Sequence, residues 1–463
     1  MNRQTAPSLK RTFAITAAAL FMFALDRQVV ANALASIQRE LGASLQALEW
    51  TVSAYTLSFC VLLLAGAALG DRFGRRRMFN LGVAIFTTGS AASALAPSAG
   101  ALIAARALQG VGGSLITPLS LTILAAATAA ERRGKVLGMW GAVAGGAASV
   151  GPVLGGALTQ TLSWHWIFWI NVPIGLVLIP LSRRWLHETH GAAQALDLVG
   201  IALSAVGLLA LVWSLIEVGR VGFSQPIVAS LAAGAVGLLA FLAWERRCVA
   251  PMAPLRFFRS RAFAGAAAAA LLAYFSFFGA LFLVAQLLQV GLRASPLTAG
   301  LELLALTGAA VATAPVAGAL CDRLGPRPLL IGSLAIEAIA LVWLGILAAP
   351  AVGYGVIAPA LALAGVAGAA LFAPVQAALL AAVTPHEQGQ ASGLATVIRE
   401  LGGVLGIAVL GAVFAANGST SSPQQFISGF RPAPPPRAHP AKAPAGNRLT
   451  ELTRAPTRKD LQR

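Results

Sequence analysis

Gly66-Ala67-Ala68-Leu69-Gly70-Asp71-Arg72-Phe73-Gly74-Arg75-Arg76-Arg77 decides how the rest of the chain is read. One acid and four arginines fall in a short turn, with an apolar run of about twenty residues on either side. Only 11% of the chain is charged, so a cluster this dense belongs in water. Its neighbours are long enough to cross a ~30 Å hydrocarbon core at about 1.5 Å per residue, and belong in lipid. The cluster is then a loop at one membrane face, and it fixes which face.

Composition agrees. The chain has 463 residues, 57% of them hydrophobic, and a mean hydropathy of +0.78. Soluble domains carry about 25% charged residues, more than double the share here. The fold class is therefore an all-α polytopic membrane protein. Forty-eight glycines suit close helix contacts in lipid. A transmembrane barrel would show short alternating segments instead of these continuous apolar runs. The formal charge of +17 is not a nucleic-acid signature, because most of the arginines lie in short loops between spans. Cys60, Cys248 and Cys321 are scattered and odd in number, which argues against a disulfide framework or a metal site. Arg3, Lys10 and Arg11 ahead of an apolar run, with Ala33-Leu34-Ala35 further on, imitate a signal peptide. That run contains Asp26 and Arg27, and more spans follow at once, so it reads as an uncleaved first helix.

Thirteen apolar windows are expected to be helices: 12–35, 50–69, 78–96, 101–125, 136–159, 166–184, 197–217, 226–244, 262–290, 297–320, 328–347, 352–382 and 391–415. Nineteen lysines and arginines fall in the N-terminus and the loops on its side, against Arg39, Arg220 and Arg293 opposite. That bias places the N-terminus and the Asp71 cluster in the cytoplasm of a multi-pass protein of the cell membrane. Leu69-Gly70-Asp71-Arg72-Phe73-Gly74-Arg75 is echoed by Leu320-Cys321-Asp322-Arg323-Leu324-Gly325-Pro326. Eight helices separate the copies, so both face one side, as in two bundles repeated about an axis along the membrane normal. The expected organisation is an N-terminal bundle over 1–190, a two-helix linker over 191–260, a C-terminal bundle over 261–416, and a disordered Pro/Arg-rich tail over 417–463.

These residues resemble the major facilitator superfamily, in its fourteen-helix drug:proton antiporter branch. The Asp71 loop resembles its signature between helices 2 and 3, with Ala67 where the family prefers glycine. Arg106-Ala107-Leu108-Gln109-Gly110-Val111-Gly112 resembles the helix 4 motif, and Gly146 to Gly156 the helix 5 motif associated with antiporters. Trp164 to Gly175 resembles the entry to helix 6, and Leu25-Asp26 a helix 1 element. Gln28, Ala31 and Ala35 depart from that element, and Arg27 stands beside its acid. The last helix of the family is expected to be missing, because the sequence after Phe430 is rich in Pro, Arg and Ala. A frameshift near codon 430 would account for this, and translating the other reading frames would then reveal an apolar run of about twenty residues.

An ionisable residue in mid-bilayer costs about 2.5–3.5 kcal/mol on insertion scales, so each marks a functional hypothesis. Asp26 is the first: it carries a proton or binds substrate, or else pairs with Arg27 or Arg106 to orient helices. Arg106, Gln109, Gly110, Gly113 and Thr117 give the fourth span one polar, small-residue face. Arg106 cannot lose its charge and is expected to act electrostatically on a nearby acid. The resemblance implies the same proton-coupling role; helix packing is the structural alternative. Glu337 is a second candidate proton or cation site. Gly151, Pro152 and Gly155 would let the fifth span bend and pack closely as a gate. Asp71, Arg72, Gly74 and Arg75, with Asp322 and Arg323, are expected to hold the inner gate through ion pairs that break and reform. Gln109, Tyr274, Phe278, Phe282, Gln286 and Gln289 are candidate substrate contacts, since an aromatic face with a few amides suits a mostly apolar, amphipathic ligand.

No nucleotide-binding loop or redox motif is visible, so the energy source is expected to be a proton gradient with no cofactor. The expected function is proton-coupled export of small amphipathic or cationic compounds by a monomer in the bilayer, and not an enzyme activity. No histidine lies in mid-span to serve an intramembrane catalyst. An importer or exchanger of a small metabolite on the same fold, or an inactive remnant, stays open at this point.

Overall fold

In lipid, a backbone must satisfy its own hydrogen bonds, so apolar windows of this length become helices. A computed structural model describes residues 9–129, 132–191, 197–248, 251, 253–347, 352–384, 387–419 and 422–429. Its α-helices are α1 (Leu9–Leu41), α2 (Leu45–Phe73), α3 (Arg75–Ala94), α4 (Ala99–Ala126), α5 (Arg133–Thr161), α6 (Trp166–Trp169), α7 (Asn171–Trp185) and α8 (Leu198–Val221). They continue with α9 (Gln225–Glu245), α10 (Arg261–Gln286), α11 (Pro296–Glu302), α12 (Leu304–Leu324), α13 (Pro326–Leu347), α14 (Tyr354–Ala381), α15 (Gln388–Asn417) and α16 (Pro423–Ser428).

Every expected window is helical, with three interruptions. The sixth breaks at Ile170 into α6 and α7, and the tenth breaks at Leu303 into α11 and α12. The ninth passes from α10 into a π-turn over Leu287–Gly291, where the Leu292 amide donates to the Leu287 carbonyl at 2.8 Å. Among the described residues, eleven helical stretches combine the length and apolarity of a membrane span. The expected thirteen is therefore not reached on composition. α3 and α5 are long enough, at 20 and 29 residues. α3 begins on three arginines and carries Asn80, Thr87, Thr88, Ser90 and Ser93, while α5 is glycine-rich, and neither feature is apolar.

The helices form two bundles, α1–α7 and α10–α15, with the α8–α9 hairpin packed on α2 and α15. Serines open several helices by accepting an orphan amide: Ser44 from Ala47, Ser98 from Ala101 and Ser260 from Phe263. The repeated loop has a structural counterpart. α2 ends at Gly74 with φ 103° and α12 at Gly325 with φ 79°, left-handed positions that favour glycine. In each, the capping amide donates to a carbonyl four residues back, Gly70 and Cys321 respectively.

The apolar cores are unequal on the two faces. Toward the Asp71 face each bundle has its own core, one around Phe23, Phe59, Phe79 and Phe86, the other around Phe257, Phe263, Val375 and Leu394. Toward the opposite face one core is shared: Leu34, Leu48, Trp164 and Phe168 join Phe282, Leu287, Phe414 and Phe426. The bundles are thus sealed together on the side away from Asp71. The expectation of disorder from 417 onward fails at α16. Phe426 and Ile427 are buried there, Phe426 at 4.7 Å from the Phe414 ring, because two apolar side chains in one turn suffice to dock it. Residues 430–463 of the expected tail lie outside the described residues.

Gly155 of α5 lets this helix lie close against α1 of the same bundle. A Cβ there would lie 2.6 Å from the Val29 carbonyl oxygen of α1. Asn32 of α1 donates to the Pro152 carbonyl at 2.6 Å, and Gly156 lies against Pro296 and Leu297 of α11 across the seam. Gly155→Val is expected to cost about 1–3 kcal/mol through overpacking. The check is the thermal midpoint of the purified protein, with Gly145→Val, where a Cβ meets nothing within 4 Å, as the neutral control.

Candidate functional site

Asp26 lies midway along α1, fully buried, and finds three donors on two other helices. Arg106 of α4 pairs with it at 2.5 Å, Gln109 Nε2 donates at 3.0 Å, and Asn171 Nδ2 of α7 donates at 2.8 Å. Arg106 and Gln109 share α4's polar face at i and i+3, so one helix delivers both. Gln109 in turn accepts from Arg106 at 2.9 Å and from Ser93 of α3 at 3.1 Å. Arg106 Nε donates to the Thr51 carbonyl of α2 at 3.3 Å. Its guanidinium sits 4.1 Å from the Tyr55 ring centroid. Three helices of one bundle therefore meet on the acid itself, and α2 and α3 join the network through Arg106 and Gln109. An ionised carboxylate is tolerable in such a dry place only because charge and donors surround it.

The adjacent residue faces the other way. Arg27 crosses to α15 of the second bundle and forks onto Glu400, with N–O distances of 2.6 and 2.9 Å. Arg399 holds the same carboxylate at 2.9 and 3.0 Å. Glu400 is fully buried, while both arginines keep partial exposure. Phe278 of α10 lies under Arg27 at 5.0 Å and Phe372 of α14 under Arg399 at 5.9 Å. Two neighbouring residues of α1 thus tie one bundle's interior to the seam between bundles.

The remaining candidates are dispersed. Glu337 of α13 accepts from Ser276 of α10 at 2.6 Å inside the second bundle. It lies among Phe277, Leu281, Leu306 and Leu361, apart from the Asp26 network. Tyr274 stacks on Phe278 at 6.1 Å beside the seam, whereas Phe282 belongs to the shared core. Gln286 is buried with both amide atoms unpartnered, and Gln289 lies in the π-turn beyond it. Gln109 contributes to the acid network described above. Arg72 lies over the neighbouring Phe73 ring at 5.3 Å.

The Asp71 loop closes on its own bundle. Arg75 pairs with Asp71 at 2.8 Å, and the Arg75 and Arg76 amides donate to the Thr189 carbonyl and to Glu188 Oε1 at 2.9 and 2.8 Å. The segment after α7 is thereby bound to the start of α3. In the second copy, Arg323 is exposed, and the side chain of Asp322 lies outside the described residues. Asp71 and Arg75 are partly exposed, so Asp71→Ala is expected to cost no more than about 1 kcal/mol of stability. A melting curve superimposable on that of the parent within a few degrees checks this.

The family model that matches this chain is the Major Facilitator Superfamily, over residues 16–197 and 266–430. The chain belongs to the major facilitator superfamily. The two matched blocks bracket α8 and α9, the pair that lies outside both bundles. Similar proteins include the multidrug resistance protein Stp of Mycobacterium tuberculosis (strain CDC 1551 / Oshkosh), 34% identical over 88% of this chain and 76% of that protein. Another is the tetracenomycin C resistance and export protein of Streptomyces glaucescens, 34% identical over 92% and 80% respectively. The crystal structure of the peptide transporter POT in complex with sulfate superposes with a TM-score of 0.66 at 16% identity, over 93% of this chain and 92% of that one, a likeness of fold.

Within this superfamily chain, sequence reasoning passed over three buried polar groups. Glu400 is one, although an Arg-Glu dipeptide in mid-span is itself a signal. Asn171 is another, visible as the polar residue ahead of Pro173 in the helix 6 entry. Glu49 of α2 is the third, buried against Gly411 of α15 with neither carboxylate oxygen hydrogen-bonded.

Proposed function

We propose that this chain is a secondary active transporter that exports small amphipathic or cationic compounds in exchange for protons, by alternating access. The observation that carries the reading is the adjacency of Asp26 and Arg27. One holds a buried ion pair within a bundle and the other a carboxylate across the seam. Protonation of Asp26 removes its attraction to Arg106 and frees α1 to shift against α4. Arg27 moves with it and loosens its hold on Glu400. A cationic ligand entering between the bundles competes with Arg27 and Arg399 for Glu400, with the Phe278, Tyr274 and Phe372 rings supplying apolar and cation–π contact. Proton and ligand thus act on one helix from its two sides, which is the requirement for exchange.

Export is favoured by the resistance and export proteins among the relatives. The charge bias of the loops supports a cytoplasmic N-terminus in the cell membrane, so that the sealed face is external. The working unit in this reading is a monomer that draws on the proton gradient without a cofactor. The test is a proteoliposome with a trapped pH dye, challenged with ethidium as a lipophilic cation. Ethidium movement accompanied by opposite proton movement supports exchange; ethidium movement with no pH change removes it.

A further inference from the structure

We infer that the groove between α1 and α7 at the Asp71 face binds an anionic phospholipid. Ala14, Ile15 and Ala18 of α1 face Ile174, Val177 and Leu181 of α7 across a groove of about 590 Å³. Its walls are apolar, and its mouth is formed by Lys10, Arg11 and Trp185. From Pro173 to Trp185 the α7 wall runs about 18 Å at 1.5 Å per residue, close to the length of an extended acyl chain. Arg11 lies 5.1 Å from the Trp185 ring centroid, which braces both at the rim.

Charge decides the headgroup. On this face Arg75 has Asp71, Arg76 and Arg77 have Glu188, and Arg256 has Glu387. Among the described residues no acid pairs with Lys10 or Arg11, which leaves two cations above an apolar slot. A phosphodiester complements them, and a chain below it fills the groove. The site has a route to the loop. Beyond Trp185 the chain gives the Leu186 carbonyl to Arg76 at 3.1 Å and Glu188 to the Arg76 amide, so a lipid wedged between α1 and α7 bears on the segment that holds the Asp71 loop.

Binding does not rest on the transport reading and is read without it. The full chain, purified from membranes in mild detergent, is incubated with equal dioleoyl phosphatidylglycerol and dioleoyl phosphatidylcholine, and retained lipid is counted by native mass spectrometry. The parent is expected to retain the phosphatidylglycerol over the phosphatidylcholine by about tenfold. Lys10→Ala/Arg11→Ala removes the preference while leaving some lipid bound, and Ala14→Trp, which fills the groove, removes both. Arg256→Ala, a surface cation remote from the groove, leaves the preference intact and controls for general loss of charge. Equal retention by the parent, or a preference that survives the double substitution, overturns the inference. Displacement of the lipid by millimolar inorganic phosphate alone also overturns it, since the chain would then contribute nothing.

Discussion

Asp26→Ala is expected to reduce proton-driven export to the level of membranes lacking the protein. The same substitution strands Arg106, which is 1% exposed, with Gln109 as its only remaining side-chain hydrogen-bond acceptor among the described residues. Removing one member of a buried pair costs about 3–5 kcal/mol because the partner's charge stays uncompensated. A thermal midpoint lowered by several degrees is therefore expected beside the loss of transport. The double variant Asp26→Ala/Arg106→Leu separates the two effects. With both charges gone, stability returns toward that of the parent, while export stays absent. A double variant that transports at parental rate would show that the pair only holds helices together.

The second large effect is expected at the seam. Glu400→Ala leaves Arg27 and Arg399 facing one another without the carboxylate that both grip. Their partial exposure, at 19% and 24%, lowers the cost below that of a sealed pair, to about 2–3 kcal/mol. The consequence for mechanism is larger than for stability, because like charges then repel across the boundary between bundles. Cys60 of α2 lies 3.6 Å from the Val397 carbonyl of α15 and supplies a native reporter. In a Val397→Cys background, a short thiol cross-linker is expected to join that position to Cys60 readily, and several-fold more slowly once Glu400→Ala is added. Unchanged cross-linking would show that the seam is held by its apolar contacts alone.

Much of this arrangement is legible in the residues. The helices follow from apolar windows, and the Asp71 repeat anticipates two left-handed glycine caps, Gly74 and Gly325, at matching ends of α2 and α12. The pairing of Asp26 with Arg106 stood among the sequence alternatives, because a buried acid and an obligate cation in neighbouring spans have few other outlets. What could not be read is which of two adjacent residues turns inward. Asp26 and Arg27 are about 100° apart on a helix, and only the packing of α1 between α5 and α10 decides that one meets α4 and the other α15. The candidate ligand contacts were harder still. An i, i+4, i+8 aromatic row on α10 looks alike whether it lines a seam, as Tyr274 and Phe278 do, or fills a core, as Phe282 does. The gate assigned to Asp71 and Arg75 depends on what the loop touches. It grips the segment after α7 in its own bundle, a long-range contact that no local spacing encodes.

Ethidium uptake into everted membrane vesicles, energised by respiration and then treated with a protonophore, tests the central claim most directly. The account predicts gradient-dependent accumulation by the parent, and none above background for Asp26→Asn or Arg106→Ala at equal protein abundance. Accumulation that persists after the gradient is collapsed, or that survives both substitutions, would contradict it.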